Sequence, residues 1–358
     1  AELLIDGHKT FGSILEGISR AETYVLVQFY IVKDDELGRE LQQALIAAAG
    51  RGVRVLFLYD EVGSNKLPRR YLEELRAAGA EASNFHTQQG PSNRFQINFR
   101  NHRKIVVVDG KEAWVGGHNV GDEYMGRDPE FGRWRDTHVR IKGPAALALQ
   151  LSFVEDWHWA TGDTPGVNWT PHPAEDVDLP ILIVPSGPAD QRETATLMFT
   201  QVINAARERL WIASPYFVPD QGVMNALRLA ALRGVDVRIL IPDEPDHMLV
   251  YLAAFHFYEE MKDSGITFYR YTDGFMHGKS ILVDNSSAVG TANFDNRSFR
   301  LNFEITAFFL DPEFTRGVES MFEEDFRNSR LMTPADLDEK PFWFRPAVRA
   351  ARLTAPVL

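Results

Sequence analysis

One pattern occurs twice in this chain, and it restricts the fold more than any other feature of the sequence. His102-Arg103-Lys104 leads through Ile105-Val106-Val107-Val108 to Asp109 and then to Gly116-Gly117-His118-Asn119. His277-Gly278-Lys279 leads through Ser280-Ile281-Leu282-Val283 to Asp284 and then to Gly290-Thr291-Ala292-Asn293. Both copies read H-x-K-x4-D, followed by a glycine and an asparagine three residues beyond it. In each, an apolar run containing β-branched residues is closed by a turn dipeptide, Asp109-Gly110 or Asp284-Asn285, before a second short apolar stretch. The pattern predicts a buried strand, a tight turn and a return strand, built twice.

The surrounding elements repeat in the same order. Tyr24–Tyr30 parallels Leu210–Tyr216 as a first core strand. A helix over 38–49, with Leu41 and Leu45 on one face, parallels one over 222–232. The strand within 51–58 parallels that within 233–240, and a helix over 68–78 parallels one over 248–264. Gly52, Gly79, Gly234 and Gly265 stand where helix C-caps belong. Strand, helix, strand, helix and hairpin, twice over, predict two similar α/β domains, each a sheet flanked by helices. The expected division is a first half over 1–161, a linker over 162–180 carrying four prolines, a second half over 181–340 and an amphipathic tail over 341–358.

Side chains alternate along a strand, so His102 and Lys104 share a face, as do His277 and Lys279. Each half thus offers an imidazole, an ammonium and, from Asn119 or Asn293, a carboxamide. That kit suits a phosphate: a nucleophile or proton carrier, a positive charge and a neutral donor. Asp109 and Asp284 complete the candidate catalytic set, but they fall at the turn on the other parity, where bracing the hairpin is the better reading. Each imidazole also needs a carboxylate on its second nitrogen; Glu304 in the second half and Asp136 in the first are the candidates. A lone His or Lys of this kind is usually structural, and only the duplication lifts these above that reading. The other eight histidines, His8, His86, His118, His138, His158, His172, His247 and His256, lack the context.

The paired motif resembles that of the phospholipase D superfamily. Within it, Ile97-Asn98-Phe99-Arg100-Asn101-His102-Arg103-Lys104, Gly117-His118-Asn119-Val120-Gly121-Asp122-Glu123-Tyr124, Trp134-Arg135-Asp136-Thr137, Ser214-Pro215-Tyr216-Phe217-Val218-Pro219 and Gly290–Phe299 are similar to bacterial cardiolipin synthases. The resemblance implies phospholipase D-type α/β domains facing each other, with one active site at their interface. It implies phosphatidyl transfer from one phosphatidylglycerol to another with release of glycerol, through a phosphohistidine on His102 and acid–base work by His277. A phospholipase D-type hydrolase or a phosphodiesterase or nuclease is the alternative reading. Because two imidazoles and two lysines supply the required charge, no metal and no cofactor are expected, and activity is expected to survive EDTA. Many bacterial cardiolipin synthases look to carry two apolar membrane segments ahead of the first catalytic half. Here the chain opens almost directly at Leu3-Leu4-Ile5-Asp6-Gly7, and a peripheral place at the cell membrane is expected.

A net charge of −12 repels polyanions, so no nucleic acid partner is expected; phosphatidylglycerol and an anionic membrane surface are. One basic segment, Arg94–Lys104, interleaves cations with apolar and aromatic residues, and reads either as a loop entering a strand or as headgroup contact. The absence of cysteine excludes thiolate metal sites and Cys nucleophiles. The tail carries Phe342-Trp343-Phe344-Arg345, Arg349, Arg352-Leu353 and Pro356-Val357-Leu358, which either dock on lipid or pack onto the second domain.

Overall fold

The computed structural model describes residues 1–85, 99–174, 178–244 and 246–355. Arg94–Asn98 of the basic segment, His86 and Pro356-Val357-Leu358 lie outside the described residues. The chain forms two compact units. The first comprises Ala1–Pro185 with Val289–Thr291 and Phe303–Ala307; the second comprises Ser186–Ala288, Ala292–Asn302 and Phe308–Leu358.

The first unit carries β1 (Glu2–Ile5), α1 (Asp6–Arg20), β2 (Tyr24–Phe29), α2 (Glu36–Gly50), β3 (Arg54–Asp60), α3 (Arg69–Ala77), β4 (Glu81–Phe85), β5 (Arg100–Asn101), β6 (Ile105–Val108), β7 (Glu112–Gly116), β8 (Trp134–Arg135), β9 (Thr137–Lys142), α4 (Ala145–Thr161) and all but the last residue of β10 (Ile181–Ser186). Its seven-stranded sheet runs β1-β9-β7-β6-β2-β3-β4. Strands β2, β3 and β4 are parallel, joined by helical crossovers, and β6 is antiparallel to β2. All four residues of β6 and all six of β2 are buried. A strand covered on both faces is near-continuously apolar unless a buried polar group finds partners, which is why Ile105–Val108 reads as a continuous run. At roughly 1.5–3 kcal/mol per buried aliphatic side chain, this run anchors the hairpin that carries the motif.

The second unit contains α5 (Thr194–Ala205), β11 (Arg209–Ala213), β12 (Phe217–Val218), α6 (Gln221–Leu232), β13 (Asp236–Pro242), α7 (Met248–Met261), β14 (Thr267–Tyr271), β15 (Phe275–Met276), β16 (Ser280–Val283), β17 (Ser286–Gly290), β18 (Phe294–Asp295), α8 (Asn296–Arg300), β19 (Asn302–Phe309), α9 (Pro312–Arg327), β20 (Ser329–Leu331), α10 (Ala335–Asp338) and α11 (Phe344–Arg352); Val289–Gly290 of β17 and Phe303–Ala307 of β19 group with the first unit. Its sheet repeats the plan of the first, with β17-β16-β11-β13-β14 as the counterpart of β7-β6-β2-β3-β4 and β20 as an added edge.

The repeat register differs from the expected one by a residue. Val25 pairs with Val108 and Leu210 with Val283, each the residue before a motif aspartate. Val25, not Tyr24, is therefore the counterpart of Leu210, and Tyr30 corresponds to Pro215 rather than Tyr216. A one-residue slip exchanges the faces of a strand, and when both faces are buried the apolar pattern does not reveal it. The helix ends follow the sequence. Asp35 and Asp220 cap α2 and α6 through Gly38 and Val223 N–H, and Gly52, Gly79, Gly234 and Gly265 adopt φ of 87°, 96°, 90° and 81°.

Candidate active site

In the first unit, His102 follows the two-residue strand β5, and its backbone N–H donates to Phe303 O at 2.9 Å. That bond aligns the residue against β19 and brings its imidazole onto Glu304. Nδ1 of His102 lies 3.0 Å from both carboxylate oxygens. Glu304 is fully buried, and Thr291 Oγ1 donates to its Oε2 at 2.6 Å. Burial alone pushes this carboxyl up. The charge of His102, its hydrogen bond, the Lys104 ammonium and the Thr291 hydroxyl outweigh burial and hold it below the usual range. An ionised carboxylate only accepts, so Nδ1 carries a proton whether His102 is cationic or neutral, and in the neutral form the lone pair falls on Nε2.

Lys104 is buried, donates to His102 O at 2.6 Å and lies over the Tyr30 ring; that ring meets the imidazole edge-on at 4.9 Å between centroids. Asn119 is held at both ends of its amide: Ile31 N–H donates to its Oδ1 at 3.1 Å, and its Nδ2 donates to Tyr124 Oη at 3.1 Å. Asp136 is fully buried and accepts from Thr137 N–H at 2.7 Å. It also explains a glycine of the motif, because a Cβ on Gly117 would stand 2.0 Å from Asp136 Oδ1.

In the second unit, His277 and Lys279 are both buried, with Lys279 Nζ 2.8 Å from Nδ1 of His277 and donating to its carbonyl. Asn293 sits beyond β17 with its N–H on Ser298 Oγ at 3.0 Å. Unlike Asn119, its Oδ1 is buried and meets no donor among the described residues. The motif aspartates stand at the far ends of their strands from the imidazoles. Asp109 accepts from the N–H groups of Glu22, Thr23 and Tyr24, and Asp284 from those of Arg207, Glu208 and Arg209. Both adopt left-handed backbone, φ 54° and 49°, which aspartate tolerates at a tight turn. Burial raises both carboxyls; the Thr23 hydroxyl and these N–H groups pull Asp109 below the usual range, and the N–H groups of Glu208, Arg209 and Arg207 do the same for Asp284.

The structure thus joins His102, Lys104 and Glu304 in one cluster. Glu304, which belongs to the second half of the sequence, serves the imidazole of the first. Thr291, Tyr30, Arg103 and Asp156 belong to this surround and were not singled out by sequence reasoning. Thr291 stands inside the second motif block, and Asp156 is one of two adjacent carboxylates, with Glu155, on α4. Among the remaining histidines, His118 and His138 are buried with their Nδ1 atoms 3.1 Å apart, and no metal-ligating cluster occurs among the described residues.

A family model described as "Cardiolipin synthase, PLD-like domain" matches residues 14–157 and 199–326. Cardiolipin synthase A of Pseudomonas aeruginosa is 51% identical over 357 residues, covering 99% of this chain and 73% of the relative. Cardiolipin synthase A of Pseudomonas syringae is 49% identical over 358 residues, covering 100% and 74%. The solved structure of phosphatidylserine synthase from Haemophilus influenzae superimposes with a TM-score of 0.75 at 16% identity, over 99% of this chain and 95% of that one, a likeness of fold.

Proposed function

The chain belongs to the cardiolipin synthase family of phospholipase D-like proteins, and we propose that it is a phosphatidyltransferase that joins two phosphatidylglycerol molecules into cardiolipin and glycerol. The observation that carries the mechanism is the Glu304–His102 pair, 3.0 Å apart in a buried setting. It supports the neutral tautomer with its lone pair on Nε2, the atom this reading makes the nucleophile.

A phosphodiester resists direct attack by an alcohol, and a covalent intermediate divides the reaction into two easier steps. His102 Nε2 attacks phosphorus, a P–N bond forms, and the P–O bond to the headgroup glycerol breaks. His277 gives its proton to the departing glycerol oxygen. In the second step His277 takes a proton from the glycerol hydroxyl of a second phosphatidylglycerol, whose oxygen displaces His102. Glu304 compensates the positive charge that His102 acquires while phosphorylated. Lys104, Lys279, Asn119 and Asn293 hold the non-bridging oxygens, where charge builds in the transition state. The reading requires both imidazoles to act on one phosphorus.

Membrane attachment is proposed to be peripheral. No helix among the described residues is long and apolar enough to cross a membrane. The tail divides between its two readings: Phe344 is buried edge-on against Phe255, whereas Phe342 is 93% and Trp343 50% exposed. Arg345, Arg349 and Arg352 are exposed on α11; Arg345 pairs with Asp338 and Arg352 lies 3.8 Å from Glu260, which leaves Arg349 as the arginine of this helix with no ion pair among the described residues, suited to anionic headgroups.

The test is incubation with phosphatidylglycerol vesicles and mass spectrometry of the products. Cardiolipin with free glycerol is expected. Phosphatidic acid alone would make the chain a hydrolase, and cleavage of single-stranded DNA without lipid turnover would make it a nuclease.

A further inference from the structure

Helix α4 packs with one face buried, and in the middle of that face stands a carboxylate, Asp156, only 4% exposed among Phe153, Trp157 and Ala160. Packing alone would be served by an aliphatic residue, and buried ion pairs are poor stabilisers compared with such a residue. Asp156 instead gathers three partners. Its Oδ1 accepts from Arg103 Nη1 at 2.9 Å. Its Oδ2 accepts from Gln28 Nε2 at 2.7 Å and Asn101 Nδ2 at 2.8 Å. Arg103 is the middle residue of the first H-x-K motif, and its guanidinium uses Nε to donate to Glu304 O at 3.0 Å.

These bonds converge on the two residues that hold the catalytic imidazole. Asn101 and Arg103 flank His102 on either side. Asn101 is also fixed through its N–H, which donates to the buried Asp60 carboxylate at 2.8 Å. His102 N–H bonds Phe303 O, next to Glu304. Arg103 therefore ties the backbone of Glu304 to helix α4 while the Glu304 side chain faces His102. A planar guanidinium with donors in fixed directions can serve a carboxylate and a carbonyl together; an ammonium would not hold that geometry. We infer that Asp156 is a positioning residue for the His102–Glu304 pair, acting through Arg103. This deepens the proposed function, whose chemistry depends on that pair.

The test compares the full chain with Asp156→Asn, Glu304→Gln, the double variant and His102→Ala. Two readouts are taken: turnover of a soluble short-chain phosphatidylglycerol, and the proton resonance of His102 Nδ1–H, identified by its loss in His102→Ala. Asp156→Asn is expected to lower kcat by about 10–100-fold with KM little changed, as loss of a group orienting an active residue does, and to move the Nδ1–H resonance. In the Glu304→Gln background the same change should cost little more, because the pair it holds is already broken. Asp156→Glu, which keeps the charge, should recover much of the rate. An equal loss in both backgrounds, or an unmoved resonance, overturns the inference and leaves Asp156 as packing. If Asp156→Asn fails to fold, Arg103→Lys substitutes for it, and normal kcat in that folded variant overturns the inference equally. Normal turnover by His102→Ala would defeat the proposed function instead, while the resonance still reports on the brace.

Discussion

Replacing Glu304 with glutamine removes one charge and almost no volume. The side chain is fully buried, faces His102 Nδ1 at 3.0 Å and accepts from Thr291. A charge-assisted hydrogen bond contributes about 1.5–3 kcal/mol net. Two opposite charges 3.0 Å apart interact by about 5.5 kcal/mol at an effective dielectric near 20, an upper bound for the lost stabilisation of a phosphorylated, cationic His102. At about 1.4 kcal/mol per tenfold, the range of about 1.5–5.5 kcal/mol predicts a fall of about 10- to 8,000-fold in phosphoenzyme formation. The amide also donates, and a donor facing Nδ1 favours the tautomer that blocks Nε2. The assay is rapid-quench trapping with a soluble short-chain phosphatidylglycerol on protein shown by thermal melting to be folded. The variant should also show weaker acid sensitivity. The Glu304 carboxyl is depressed in the folded state, so its stabilisation is present above its ordinary value of 4.5 and is lost as pH falls through the lowered one. A phosphoenzyme rate within about threefold of wild type, little more than half a kcal/mol, would refute the orienting role of Glu304.

Three further outcomes are expected. Asp109→Ala and Asp284→Ala should each cost about 2–4 kcal/mol of stability, seen in denaturant melts, through lost acceptors and a left-handed alanine, while activity per folded molecule survives; because both carboxyls are depressed, the wild-type advantage should fade as pH falls below about 3.8. Gly117→Ala drives a Cβ against Asp136 Oδ1 and should lower turnover by about 100-fold, the cost of a misplacement near 1 Å, whereas an active Gly117→Ala would show that Asp136 can move freely. In the tail, Phe344→Ala should destabilise by about 3–5 kcal/mol, and Phe342→Ala with Trp343→Ala should leave melting unchanged but weaken flotation with anionic vesicles; unchanged flotation would discard the interfacial role.

Much of the molecule was determined locally and could be read from the residues. The apolar runs Ile105–Val108 and Ile281–Val283 became strands, the first wholly buried and the second all but its last residue, each closed by a left-handed aspartate. The parity argument that assigned Asp109 and Asp284 to the hairpin needed only the period of a strand, and their carboxylates do lie on backbone N–H groups at the turn. Glycines after helices took positive φ because few other residues adopt it cheaply. The repeat itself fixed two copies of one plan, since the same order of apolar periods packs the same way twice.

Tertiary structure decided what depends on which strands become neighbours. Glu304 stands in the second half of the sequence, yet pairing of β5 with β19 places it on His102, and no local signal carries that choice. The same holds for Asp156, whose acidic side chain on α4 acquires meaning only where Arg103, Asn101 and Gln28 arrive from distant segments. The one-residue offset between the halves was hidden for a related reason: strands buried on both faces lose the alternation that reports register. Local chemistry fixes which backbone shapes are allowed, but a buried charge finds its partner only in the assembled core, where desolvation makes each missing hydrogen bond costly.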